Sequence, residues 1–308
     1  LLSVPMAFVQ SYGIYFLLSR QGIINTLYSF DLVILILTFT AGTLLLVWLG
    51  DLLTEHGIGN GISMLIFVSI ISRLPAGILS VLAGISSSSY LNVIIMLVLM
   101  LLIIVAVVLV NEGTRNILIE YGRRGERSQK VTNYLPIKIN QAGVIPIIFA
   151  VSLVSIPRMI GGPLAASGKA SLIGLGNFLI NTFESTSLTY NLVYFLLVVG
   201  FTFVYTFIQF NPDKIADDIK KRGGFIPGVR PGTSTSQYLK RIVSRTTLAG
   251  SLFLGLVAIT PYLMNFIFGS QAIDIGGTSL LIVVSVVLET VRQIESLTVT
   301  RSYEKFLG

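Results

Sequence analysis

The chain has 308 residues, of which 53% are hydrophobic and only 11% charged, with a mean hydropathy of +0.85 and a formal net charge of +7. That balance excludes the pair of soluble domains the length alone would suggest and points to a polytopic membrane protein. The absence of cysteine excludes disulfide and thiol chemistry and leaves the redox compartment open.

A bilayer core of about 30 Å needs about twenty apolar residues in helical form, because unpaired backbone groups are not tolerated in hydrocarbon. In chain order, eight stretches are predicted to span: 1–18, 31–50, 63–82, 91–110, 142–157, 191–210, 246–266 and 277–297. The first lacks a basic leader and a small-residue cleavage site, so it reads as a span and not as a signal peptide. It opens on Leu1 in mid-apolar sequence, which gives the expectation that further residues precede it. After the second span, Gly57-Ile-Gly-Asn-Gly-Ile-Ser63 predicts a tight turn with Ser63 as the cap of the next helix. Ile66 and Ile70 then stand four residues apart on one helical face. The connections 84–90, with its serine run Ser86 to Ser89, and 158–190, rich in Gly, Ser and Ala, read as solvated linkers.

Two connections differ from the rest. Loops 111–143 and 211–245 hold fourteen of the twenty-one Lys and Arg residues, carry a combined formal charge of +8, and are far longer than a helical hairpin needs. Across the predicted spans, seventeen basic residues fall on the side of these loops and three, Arg20, Arg158 and Lys169, on the other. The positive-inside bias therefore places both basic loops, and both ends of the chain, on the cytoplasmic side. Loops of that length and charge are expected to dock something large or anionic. Within the second, Gly223-Gly-Phe-Ile-Pro-Gly-Val-Arg-Pro-Gly232 predicts a conformationally restricted tip presenting Arg230.

Candidate chemistry is sparse. Ser167-Gly-Lys-Ala-Ser171 fails as a phosphate loop, because Pro163 replaces the first required glycine and Ala170 follows the lysine. His56 is the only histidine, so neither a metal site nor a Ser–His hydrolase has enough partners, and no cofactor is expected. Arg73 and Glu289 are the only ionisable residues well inside the spans, and Arg292, one turn beyond Glu289, is its expected partner. The chain does not read as an enzyme, nor as a typical proton relay.

Several stretches together resemble the SecY family, the channel subunit of the bacterial Sec protein translocon. They are Trp48-Leu-Gly-Asp51 with the glycine-rich turn, Leu135-Pro-Ile-Lys-Ile-Asn-Gln-Ala-Gly-Val-Ile-Pro146, Phe210-Asn-Pro212, Gly224-Phe-Ile-Pro-Gly-Val-Arg-Pro-Gly232 and Gly276-Gly-Thr-Ser-Leu-Leu-Ile282, in the family's order and spacing. The eight spans correspond to the third to tenth of that family's ten. The resemblance implies an all-α polytopic membrane protein, a SecY-like helical channel with eight of ten transmembrane helices in this chain. It implies two halves, 1–82 and 91–308, about an external hinge loop 83–90.

The same resemblance implies a pore ring of Ile66, Ile70, Ile148 and Ile282, and a lateral gate including Gln10, Ile148 and Ile156 with the span around 192–207. It implies docking of the ribosome and the SecA motor ATPase at Arg115, Arg123, Arg124, Lys220, Lys221 and Arg230. SecE and SecG subunits, signal peptides, nascent or preprotein chains and anionic lipids are the further partners it implies. The expected function is a protein-conducting channel in the bacterial cytoplasmic membrane. The alternatives carried from the residues are a secondary transporter of a small solute and, behind it, a membrane-embedded hydrolase.

Overall fold

The computed structural model describes residues 3–20, 22–24, 27–83, 90–121, 131–165, 167, 169–268 and 277–307. Helices α1 (Ser3–Arg20), α2 (Ser29–His56), α3 (Gly61–Ala83) and α4 (Tyr90–Glu112) come first. Strands β1 (Thr114–Tyr121) and β2 (Val131–Lys138) follow, then α5 (Ile145–Ala165), α6 (Ala170–Thr182), α7 (Leu188–Gln209) and α8 (Pro212–Lys221). A short strand β3 (Gly224–Phe225) precedes α9 (Thr233–Ala258), α10 (Thr260–Phe268) and α11 (Gly277–Leu307). Every expected span meets a helix, the seventh being shared between α9 and α10.

Among the described residues, Ser29–His56, Ile145–Ala165, Leu188–Lys221 and Thr233–Ala258 are long and apolar enough to cross a membrane. The 23 residues of α3 and of α4 each reach about 34 Å at 1.5 Å per residue. Helix α2 is the most lipid-like: only 6% of its most apolar window is buried, and Leu45, Leu46 and Trp48 are more than half exposed. A surface of that kind suits hydrocarbon and would be an aggregation patch in water.

The α2–α3 hairpin closes through glycine. A Cβ on Gly61 would strike the Gly50 carbonyl oxygen and lie 2.6 Å from Leu53 Cβ, so only glycine lets the two helices touch there. Thr54 Oγ1 donates to the Gly50 carbonyl at 2.8 Å and accepts from the Gly61 N–H at 2.9 Å, which locks the turn. The cap of α3 is Asn60, whose Oδ1 accepts from the Ser63 N–H at 3.1 Å. Ser63, the expected cap, already lies inside the helix, because the chain turns helical at Gly61.

The connection 158–190 is not the solvated linker that its Gly and Ser content suggests. Helix α5 continues through Pro157 and Pro163 to Ala165, and α6 then packs back on it. Arg292, expected to pair with Glu289, pairs with Glu112 instead. Arg292 Nη2 lies 2.7 Å from Glu112 Oε2, because α4 and α11 pack side by side and bring Glu112 closer than the next turn of α11 itself.

One apolar core joins the spans. Val107 of α4, Val144, Ile147, Ala150 and Val154 around α5, Tyr194 and Val198 of α7, Leu254 and Val257 of α9, and Leu281, Ile282 and Val286 of α11 are buried together. A second core lies at the end of the bundle that carries the basic loops. It contains Ile117, Ile119, Ile137, Phe210, Ala216, Ile219, Ile226, Leu239, Ile242 and Val243.

Candidate pore, gate and docking platform

The second core exists because the two basic loops fold together. β1 and β2 form an antiparallel hairpin, with Thr114 opposite Lys138 and Tyr121 opposite Val131. β3, from the other loop, adds to the free edge of β1 through Glu120–Phe225 and Tyr121–Gly224, giving the order β2-β1-β3. Pro136 is tolerated because β2 is an outer strand. Ile117 and Ile119 alternate inward, as a strand with one covered face requires. Gly224 fits where a Cβ would lie 2.9 Å from the Tyr121 ring.

Helix α8 covers this sheet's core with Ala216 and Ile219. Its ends are well specified. Asn211 Oδ1 accepts from the N–H groups of Asp213 and Lys214, Pro212 opens the first turn, and Lys220 and Lys221 close the last, complementing the helix dipole. Ser236 at the start of α9 donates to the Asp213 carboxylate, tying α8 to α9. The Arg230 tip is anchored on both sides: Ile226 is buried, Val229 packs on the same core, and the Arg230 carbonyl accepts from Thr235 Oγ1 at 2.9 Å. Arg115, Lys220, Lys221 and Arg230 are all exposed. The restricted tip expected from its Gly and Pro residues is what is observed, and it belongs to a firm platform with cations on its surface. Arg123 and Arg124 lie outside the described residues.

Of the expected ring, Ile282 is buried in the main core, and Ile66 and Ile70 pack against it half-buried. Ile148 is half-buried but is not among the described residues packed on that core; its neighbour Ile147 is, at 1% exposure. Consecutive residues of a helix point about 100° apart, so only one of the two can face a given cluster.

A cavity of about 520 Å³ opens toward the platform, lined among others by Asn60, Ser63, Asn111, Asn140, Val144 and Ser285. Ser63 is three residues from Ile66, Val144 three from Ile147, and Ser285 three from Ile282. On three separate helices, therefore, an apolar residue sits one helical turn, about 5 Å, beyond a residue lining the cavity. The arrangement is a polar vestibule ending on an apolar floor.

The vestibule wall holds a hydrogen-bonded chain that the sequence reading missed. The Asn140 amide donates to Asn111 Oδ1 at 2.8 Å, and the Asn111 amide donates to Ser285 Oγ at 2.7 Å. Asn140 Oδ1 accepts from the Gly143 N–H at 3.1 Å, holding a turn in which Gly143 has φ +66°. Arg292 adds a 3.4 Å bond to the Asn111 carbonyl beside its pair with Glu112. That pair is partly exposed to solvent and contributes at most about 1 kcal/mol. The signal available beforehand was Asn111 at the end of an apolar span and Asn140 within a quoted motif. Lys138, at the vestibule mouth, has its ammonium pKa lowered, first by partial loss of hydration and then by Arg292, with Glu289 and Glu112 opposing.

At the expected gate, α1 packs on α5. A Cβ on Gly13 would strike the Met159 side chain, and one on Gly162 would strike the Phe16 ring, so each helix seats a side chain of the other against a glycine there. Ile156 is half-buried on α5 and Gln10 is exposed on α1.

The SecY family model matches residues 1–291. Protein translocase subunit SecY of Mycobacterium bovis is 42% identical, the match covering 99% of this chain and 72% of that protein. The chain belongs to the SecY family. Relatives in Mycobacterium leprae (42% identical, 94% of this chain and 67% of that protein) and Halalkalibacterium halodurans (40%, 88% and 64%) carry the same name. Among solved structures, a SecY studied for how its plug domain stabilises the closed channel and maintains a membrane seal superposes with a TM-score of 0.67. It is 20% identical, and the match covers 96% of this chain and 72% of that one. A structure described as a protein conducting channel gives 0.53 at 18% identity, over 96% and 81%. At these identities the structural likeness speaks for the fold alone. SecY membership and the apolar helices make this a multi-pass membrane protein.

Proposed function

We propose that the chain is the channel subunit of a Sec translocon in a bacterial cytoplasmic membrane, passing unfolded polypeptide across and releasing apolar segments sideways into lipid. The observation that carries this is the 42% identity, over nearly the whole chain, to proteins named protein translocase subunit SecY. Family membership sets aside the small-solute carrier. The work is done by partners and not by catalysis in this chain.

The pore ring is Ile66, Ile70, Ile148 and Ile282. The vestibule ending on an apolar floor supports that reading, because a narrow apolar constriction discourages a continuous water column yet offers no strong site to trap a passing chain. The gate lies between α1 and α5, with Gln10, Ile148 and Ile156 along it and α7 behind. Residues 83–90, of which 84–89 lie outside the described residues, are the proposed hinge between the halves 1–82 and 91–308.

The platform faces the cytoplasm, as do both ends of the chain, and docks SecA or the ribosome through Arg115, Arg123, Arg124, Lys220, Lys221 and Arg230. Contacts of this kind with ribosomal RNA weaken as salt rises. SecE and SecG complete the complex, anionic lipid surrounds it, and signal peptides and preprotein chains are its clients.

The test is reconstituted translocation with the complete complex. Arg230→Glu is expected to abolish SecA-driven transport while SecE and SecG still co-purify; normal transport by this variant would refute the docking role. Ser in place of Ile66, Ile70, Ile148 and Ile282 is expected to raise ion conductance of the resting complex, and unchanged conductance would remove the ring.

A further inference from the structure

Helix α6 has no role in the function described above, yet it is built for a specific environment. Its 13 residues reach about 20 Å, too short to cross a bilayer core of about 30 Å. It connects α5 and α7, which run about 32 and 33 Å. Those lengths match the hydrocarbon thickness, and α5 begins and α7 ends at the platform end of the bundle. The far end of α5 and the start of α7 therefore stand at the opposite membrane boundary, and α6 lies between them at that depth.

Its surface divides into three faces. Leu172, Gly176, Leu179 and Ile180 turn toward the protein, where a Cβ on Gly176 would strike the Ala165 backbone and lie 2.7 Å from the Gly161 carbonyl oxygen. That contact fixes α6 on the end of α5. Leu175 and Phe178, 52% and 64% exposed, share one free edge, with Ser171 of the first turn on the same side. Asn177 and Asn181, also exposed, share the other. A helix that packs on protein, shows apolar side chains on one edge and amides on the other, at the membrane boundary, matches the headgroup–acyl interface and matches neither bulk water nor hydrocarbon.

We propose that α6 is an interfacial helix seated in the outer-leaflet headgroup region, with Leu175 and Phe178 inserted among the upper acyl chains. The occupant of the exposed edge is lipid. The seating ties the outer end of α5 to the lipid surface, so α5 and α6 move as one body.

The chain contains no cysteine, so single probes are unambiguous within it. The complete complex carrying Leu175→Cys, Phe178→Cys, Asn177→Cys or Asn181→Cys is labelled with an environment-sensitive fluorophore and placed in phosphatidylcholine–phosphatidylglycerol nanodiscs. Lipids bearing a shallow nitroxide are expected to quench the 175 and 178 probes at least about twofold more than the 177 and 181 probes, with aqueous iodide giving the reverse order. Equal iodide quenching at all four positions would mean that α6 stands in water and would overturn the proposal. Shielding of 175 and 178 from both quenchers would mean a protein partner covers the edge and would overturn it equally.

Discussion

Removing the Asn140 side chain is the most direct probe of the wall between platform and pore. Asn140 is 5% exposed, and Asn140→Ala leaves the Gly143 N–H without its 3.1 Å acceptor and Asn111 Oδ1 without its 2.8 Å donor. Each neutral bond contributes about 0.5–1.5 kcal/mol net, and an orphaned buried group costs about 1–3 kcal/mol. Asn111 and Gly143 both line the vestibule, where water replaces part of what is lost, so the expected loss for the two bonds together is about 2 kcal/mol. Membrane proteins seldom unfold reversibly, so the assay is the half-life of the monodisperse complex at one elevated temperature in detergent. If these contacts are lost before the unfolding barrier, about 2 kcal/mol shortens that half-life by up to about 30-fold. Asn116→Ala, at an exposed strand position, is the control and is expected to stay within about 0.5 kcal/mol of the parent. In a double-mutant cycle with Asn111→Ala, a coupling of at least about 0.5 kcal/mol is expected. A half-life for Asn140→Ala matching the Asn116→Ala control, or no coupling, would refute the network.

Gly61→Ala drives a Cβ into the backbone of α2 and is expected to cost about 1–3 kcal/mol, whereas Gly42→Ala, with open space around it, leaves the half-life unchanged or longer. The Tyr194 hydroxyl is buried with no hydrogen-bond partner among the described residues, so Tyr194→Phe is expected to be neutral or to stabilise by about 1 kcal/mol; marked destabilisation would reveal a missing partner. Because the Lys138 pKa is lowered in the fold from 10.5, the unfolded chain holds more protons between the folded value and 10.5, and stability rises with pH across that window. Lys138→Gln is expected to lengthen the half-life below the window and to flatten that rise, which a series of half-lives at increasing alkaline pH would reveal.

Hydropathy is a local property, and it carried a long way. Runs of apolar residues located the helices and their order, and motifs such as Gly57 to Ser63 and Leu135 to Pro146 pointed to the family, while the Lys and Arg asymmetry supplied an expected orientation. A helix in lipid satisfies its own backbone, so twenty contiguous residues suffice to specify it. The Arg230 tip was equally legible, since Pro fixes φ locally and Gly supplies the positive φ that tight turns need, as at Gly223, Gly228 and Gly232.

The tertiary structure decided which distant segments meet. The pairing of β3 with β1, which makes one platform of two loops, joins residues about a hundred positions apart, with no local period to announce it. Ser285 reaches Asn111 across 174 residues, and Arg292 finds Glu112 and not its own helical neighbour, because helix packing and not sequence spacing sets the distance. Helix α6 read as a linker for a related reason. Its Gly and Ser content signals a turn locally, and only the close approach at Gly161 and Gly176 reveals that the small residues are there to let two helices touch.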